Sequence, residues 1–317
     1  MNMLKYILKR LLIAIPVLIG ITLIDFALTS LAGSPLDALV GPRVSEDAVL
    51  AKEIALGLDK PFFVQYWIWL KQLLAGNLGY SVKSHEAVVE MIGSHLGPTL
   101  LLMGVSFIVG LLIALPAGIF SATHRYTRRD HAIVTASFIG TSIPSFFLSL
   151  VLIYIFTVRL GILPSGGMTT LGTEGGFLDV ARHMVMPVTV LAVSMAGTNI
   201  RYIRSAVLEI LDKDYLRTAR GKGIGRRLVI NKHALRPALV SVVTVFGMQI
   251  PMLFGGAVIV EEIFNWPGLG LVTMSAINAR DYPVIMGVCL LSAVVVLLGN
   301  LLTDILYAVV DPTIRYK

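Results

Sequence analysis

The residues best placed to do chemistry lie in DYLRTARGKGIGRRLVINKHALRPAL, from Asp214 to Leu239, where Gly221, Gly223 and Gly225 surround Lys222. Glycines beside a lysine can cradle phosphate through backbone N–H groups, but only in defined patterns. A phosphate loop needs a glycine five residues before Gly221, and that position holds Leu216; it needs Ser or Thr after the lysine, and that position holds Gly223. The spacing does not fit G-x-G-x-x-G, and no strand precedes it. If ATP drives this protein, another chain hydrolyses it. HEAVVE, His85–Glu90, begins like a zinc motif, yet Val89 stands where the second histidine belongs and His95 comes too late. The six histidines do not cluster, and no G-x-S-x-G elbow occurs. No catalytic or metal-binding set emerges.

Two acids, Asp25 and Asp304, lie inside apolar runs. Acids at membrane depth are functional candidates and face a bundle interior. Asp25 could mark the proton relay of an ion-coupled transporter, although it sits in the outer half of its run with no basic partner in view. Asp304 falls with Asn300 and Tyr307 at spacings of four and three, a pattern that fits a structural polar seam between helices.

These side chains are positioned by an unusually apolar chain. Of 317 residues, 56% are hydrophobic and 14% charged, against about 25% charged in soluble domains. Its solvent is largely lipid. The net charge of +7 is spread through loops, which argues against nucleic acid. The single Cys289 cannot form an intrachain disulfide. Six runs reach the roughly 20 residues that a membrane helix needs: Leu11–Leu31, Thr99–Ala122, Ala132–Val158, Met184–Ile200, Ala238–Val260 and Val284–Val310. They are continuous and not alternating, so they predict helices and an all-α polytopic membrane protein. Pro116, Pro144, Pro187 and Pro251 should each bend a span by removing a backbone donor. Lys5, Lys9, Arg10 and Ser30–Ala32 imitate a signal peptide, but the first run exceeds the usual apolar core of one, and a retained helix is expected. With the N-terminus inside, inner segments hold 18 of the 26 Lys and Arg, and the two short outer loops hold only three. The positive-inside rule then places both termini in the cytoplasm.

Three regions follow: residues 1–31 as an N-terminal segment and first span, 32–96 as an outer loop, and 97–317 as a five-span core with a basic loop at about 201–237. In the outer loop, VSEDAVLAKEIALGL predicts a helix capped by Ser45 and closed by Gly57. DKPFFVQYWIWLKQLLAG predicts another, with Asp59 as cap and Pro61 in its first turn. Its aromatics Phe62, Phe63, Tyr66, Trp67 and Trp69 suit the membrane–water boundary, as packing there. Before the sixth span, EEIFNWPGLGLVTMSAINARDYP is semi-apolar and broken by Pro267, Gly268 and Gly270. It reads either as a re-entrant element near a pathway mouth or as an ordinary surface turn.

Within the basic loop, Asp214 can cap a short helix in which Tyr215, Leu216 and Ala219 form an apolar knob and Arg217, Arg220 and Lys222 a basic collar. Gly223 can end that helix in the left-handed conformation. The segment resembles the EAA loop of membrane permeases of ABC importers, in the peptide and nickel branch. That branch reads DY-x-R-T-A-x-x-K-G, which Asp214–Gly223 fits; relative to the general loop, Arg217 replaces the glutamate and Pro237 lies one residue late. ILKRLLIAIPVLIGITL, LGLDKPFFVQYWIWLKQLLAGNLGYS, EEIFNWPGLG with RDYP, and NLLTDILYAVVDPTIRY extend the likeness along the whole chain.

The resemblance implies a type I importer permease fold, methionine-permease-like (MetI-like), with six transmembrane helices. It implies a B-type subunit in a bacterial or archaeal cytoplasmic membrane. Partners would be a homologous second permease, two ABC ATPases that bind the ATP and magnesium, and an outer solute-binding protein. Asp214, Tyr215, Leu216, Arg217, Thr218, Ala219, Arg220 and Gly223 would be the helix that seats in the ATPase. Glu261, Phe264, Pro267, Gly268 and Gly270 would lie near the pathway mouth. The implied cargo is a di- or oligopeptide, with glutathione or nickel as alternatives, moved by alternating access. An ion-coupled carrier built on Asp25 is the competing reading.

Overall fold

The computed structural model describes residues 3–31, 54, 59–172, 175–223, 225, 228–235, 237–238, 249 and 258–310. Among these, the regular structure is helical. The helices are α1 (Met3–Leu31), α2 (Phe62–Leu74), α3 (Val88–Thr123), α4 (Arg128–Ser142), α5 (Ser145–Leu152), α6 (Phe177–Leu211), α7 (Asp214–Gly221), α8 (Val258–Ile263), α9 (Leu269–Ala279) and α10 (Tyr282–Val310). A π-helical stretch, Ile153–Arg159, continues α5, and a π-helical turn, Val229–Ala234, follows α7.

Among the described residues, four segments, Ile7–Leu31, Val88–Thr123, Phe177–Leu211 and Tyr282–Leu301, are each long and apolar enough to cross a bilayer. The third expected span differs from a single helix: α4 and the α5–π segment meet at 94°. The break falls at Ile143–Pro144, because proline has no N–H to continue the ladder and pushes the residue before it into extended backbone. Pro116 and Pro187 behave otherwise, since α3 and α6 run through them. The fifth expected span, with Pro251, and the helix expected between Ser45 and Gly57 lie outside the described residues apart from a few positions.

α3 and α6 form the spine. Ser106, Gly110, Ala114, Gly118 and Ala122 are buried and recur every fourth residue, which puts a small-residue seam along one face of α3. A Cβ on Gly110 would lie 3.3 Å from Met195 Cβ, and one on Gly118 would lie 2.7 Å from Ile203 Cβ. Both contacts advance together along the chain, so the two helices run parallel. α4 crosses α6 in the opposite sense, with Gly140 against Val193 and Gly197 against the backbone of Ser137. Lipid supplies no hydrophobic drive between helices, so such close backbone approach carries the packing. Ala114, Ala122, Ala196, Ile200, Ile203 and Val207 close the core at the end nearer α7. Leu102, Met103, Met186, Val190, Phe264 and Trp266 close it at the far end.

α2 starts after Pro61, not at an Asp59 cap. The Pro61 carbonyl accepts from Val64 N (2.8 Å) and Gln65 N (3.1 Å), so backbone alone closes the first turn. Phe62, Tyr66 and Trp69 surround Phe26 of α1, and the Tyr66 and Thr22 hydroxyls pair at 3.0 Å. Phe63 and Trp67 stay exposed. The aromatic set is thus split between a clasp on α1 and an outward face.

Candidate functional sites at the two ends of the bundle

The chain leaves α6 at Asp212 and re-forms as α7 two residues later. Asp214 lies in the first turn of α7, where a carboxylate opposes the positive end of the helix dipole. Thr218 Oγ1 donates to the Asp214 carbonyl (3.2 Å), and Lys222 N donates to the Thr218 carbonyl (3.0 Å). Gly223 then takes φ +79°, a left-handed conformation that L side chains rarely adopt. This turn sends the chain into the π-helical turn, opened by N–H groups of Leu228 and Val229 to the Gly225 carbonyl.

Leu216 is fully buried in a small cluster with Val229 and Ala234, flanked by Ile210 and Leu211. Tyr215, Thr218, Gly221, Lys222 and Gly223 are exposed. The expected knob is therefore divided. Neighbouring helical residues point about 100° apart, so Tyr215 and Leu216 cannot share a direction. Leu216 fastens α7 to its own chain, and Tyr215 faces out. The backbones of Arg217, Ala219 and Arg220 belong to α7; their side chains lie outside the described set.

A polar network that the sequence reading missed stands beside this stem. Asp130, in the first turn of α4, is 1% exposed. It accepts from Arg204 Nε and Nη2 of α6 (both 2.9 Å), from the Ser121 hydroxyl of α3, and from Tyr126 N (2.9 Å). Arg204 Nε also donates to Ser121 Oγ (3.1 Å). In the sequence, residues 123–131, THRYTRRDH, stand out only as an inner loop rich in arginine. Thr127 three residues before Asp130 was the available signal, and it does cap α4 through its hydroxyl.

At the opposite end, Glu261 of α8 is fully buried. Its Oε1 accepts from Thr99 Oγ1 of α3 (2.9 Å) and its Oε2 from Gly270 N (2.6 Å). Thr99 Oγ1 in turn accepts from Leu269 N (2.8 Å). The free N–H groups at the start of α9 thus receive a carboxylate and a hydroxyl, and the charge meets the positive end of the helix. Gly268 and Gly270 are required by this approach. A Cβ on Gly268 would overlap the Glu261 carboxylate and the Thr99 hydroxyl, and one on Gly270 would lie 2.6 Å from Val258 Cα. Phe264 and Trp266 are buried, and Trp266 Nε1 donates to the Pro98 carbonyl (3.0 Å).

The residues 160–172 are stitched to the same place. Gly167 N donates to the Phe264 carbonyl (2.7 Å), and His183 of α6 reaches the Gly166 and Gly167 carbonyls through Nδ1. The motif residues Glu261, Phe264, Gly268 and Gly270 are brought together as one buried junction, with Pro267 half-buried at its edge. α9 is apolar and has 11 residues, about 16 Å long, too short for a core of about 30 Å.

Of the intramembrane polar residues, the side chains of Asp25 and Asn300 are described. Asp25 is half-buried and lies beside Cys289 of α10. Asn300 is exposed, and the side chains of Asp304 and Tyr307 lie outside the described set. Among the described residues, no three His, Cys, Asp or Glu are grouped to hold a metal ion.

A bundle of lipid-facing helices, with a short helix held off one end and a sealed junction at the other, is the architecture of a transport permease. Solved structures share it. A chain of the MetNI methionine ABC transporter, in an inward-facing conformation, superposes with TM-score 0.55 at 19% identity, over 70% of this chain and 97% of that one. A chain of an amino acid ABC transporter superposes with TM-score 0.55 at 16% identity, over 69% and 94%. The chain belongs to the family described as binding-protein-dependent transport system inner membrane component, which matches residues 114–316. The N-terminal membrane component of such systems matches residues 3–103. The oligopeptide transport system permease protein AppB of Bacillus subtilis is 45% identical over 99% of this chain and all of that protein. A putative peptide permease of Brucella ovis is 43% identical over 99% of both. The glutathione transport system permease protein GsiC of Salmonella choleraesuis is 38% identical over 99% and 100%. The chain is thus an integral membrane subunit of an ABC importer, a transport subunit and not an enzyme.

Proposed function

We propose that this subunit imports oligopeptides by alternating access, with α7 as the helix that seats in a partner ATPase. The observation that carries the peptide reading is end-to-end likeness, at 45% and 43% identity, to two permeases whose names specify peptides. Glutathione is the second reading, favoured by the 38% identical relative. The end of the bundle that carries α7 faces the cytoplasm, as the excess of Lys and Arg there requires. A homologous second permease completes the pathway, two ATPases bind ATP and magnesium, and a solute-binding protein delivers the cargo outside. ATP-driven approach of the ATPases moves α7, and α6 carries that motion into the membrane. The junction around Glu261 keeps α8 and α9 in a fixed relation to α3 at the outer mouth.

Uptake of labelled oligopeptide into proteoliposomes holding the full assembly tests this reading. Vanadate should abolish uptake and a protonophore should leave it unchanged. Labelled glutathione should enter at least tenfold more slowly; glutathione as the faster substrate would overturn the peptide assignment. Asp25→Asn should retain uptake within twofold of wild type, because Asp25 meets Cys289 and no cation in the described structure. Collapse of uptake in that variant, together with wild-type uptake that resists vanadate and fails with a protonophore, would instead place Asp25 in an ion-coupled pathway.

A further inference from the structure

We propose that Asp130 and Arg204 are positioning residues that gear the ATPase-docking helix to α3 and α4, so that motion of α7 rotates these helices together. The inference rests on the docking role proposed for α7. Arg204 lies seven residues before the end of α6 at Leu211, about 10 Å along the helix, and α7 begins three residues on. Its guanidinium grips both oxygens of Asp130, a fork that fixes orientation as well as distance. The same carboxylate collects Ser121 from the last turn of α3 and the Tyr126 N–H from the α3–α4 connection. One buried group therefore ties two helices and a turn to α6, the stem of α7.

The surroundings fit a transmission point. Tyr126 sits at φ +64°, a region rare for a bulky residue, and its N–H bond to Asp130 holds it there. Arg125 reaches Asp212, at the hinge between α6 and α7, at 3.5 Å. That exposed pair is weak alone, but it ties the same turn to the same hinge. Farther along, Gly118 admits Ile203 and Gly197 admits Ser137, so the three helices interlock at backbone range. Helices in lipid are held mainly by packing and a few polar bonds. An apolar contact alone would let α6 slide; the forked ion pair converts displacement of α6 into displacement of α3 and α4. Stability by itself does not demand an ion pair here, because a buried pair can commonly be replaced by apolar residues without loss.

That last point supplies the test. In proteoliposomes with the complete transporter, Asp130→Asn and the double apolar variant Asp130→Leu/Arg204→Met are compared with wild type for ATPase co-purification, ATP hydrolysis and peptide taken up per ATP. Gearing predicts that the apolar pair keeps the ATPase bound and hydrolysis within twofold. Uptake per ATP should fall at least tenfold in both variants. Arg204→Lys, which keeps the charge and loses the fork, should fall in between. Uptake per ATP within twofold of wild type in the apolar pair would overturn the proposal, as would proportional loss of hydrolysis and uptake. Failure of the docking reading is distinguishable, because it would appear in the wild-type transporter as an ATPase that does not contact α7.

Discussion

Glu261→Ala is expected to melt well below wild type and to cut uptake by at least tenfold. The substitution removes the acceptor for Thr99 Oγ1 and Gly270 N in a site closed to solvent. Each buried donor left unpaired costs about 1–3 kcal/mol, so the pair costs roughly 2–6 kcal/mol before the void is counted. The start of α9 also loses the negative charge that its dipole favours. Glu261→Gln separates these effects. Both carboxylate oxygens accept hydrogen bonds, whereas the amide offers one acceptor and turns an NH2 toward a donor. Its melting temperature should fall between those of wild type and alanine. Thermal aggregation of the detergent-purified subunit, followed by size exclusion, reads the result. Wild-type melting of the alanine variant would show that the junction does not hold α9.

Leu216→Asp is the second large effect, at the other end of the molecule. Burying a leucine contributes about 1.5–3 kcal/mol. An eight-residue helix cannot hold itself in water, so α7 depends on that contact with Val229 and Ala234. An aspartate there would place an unpaired charge in an apolar cluster, and the helix would detach. The subunit should still insert, because none of the spans is touched. ATPase co-purification should fall at least tenfold and uptake should vanish. Full retention of the ATPase would mean that α7 needs no seat on its own chain. Tyr215→Ala, at an exposed position, should weaken ATPase binding.

Much of this was legible in the sequence because lipid imposes simple rules. Continuous apolar runs and loop cations were enough for an all-α membrane protein, and the DYLRTARGKG segment was enough for a helix ended at Gly223. The division of labour between Tyr215 and Leu216 was not legible. Both are large apolar residues at adjacent helical positions, and only the return of the chain through Val229 and Ala234 shows which one is claimed. The partnership of Glu261 with Thr99 spans 162 residues, beyond any local pattern, although EEIFNWPGLG marked one half of it. Asp130 looked like one more loop charge, since its partner Arg204 comes 74 residues later. Ser106, Gly110, Ala114, Gly118 and Ala122 were visible as a fourfold repeat of small residues. That periodicity does not stand out because most neighbouring positions are apolar too. Proline was the least transferable signal: Pro144 breaks a span, while Pro116 and Pro187 are absorbed within continuous helices.

The central claim is that α7 presents its exposed face to an ATPase. A photo-crosslinking phenylalanine analogue in place of Tyr215 tests it most directly, in the assembled transporter, with products separated by gel and identified by mass. A crosslink to the ATPase subunit that changes in yield when ATP is trapped with vanadate is the predicted result. Crosslinks confined to lipid, or to the second permease, with none to the ATPase, would contradict it.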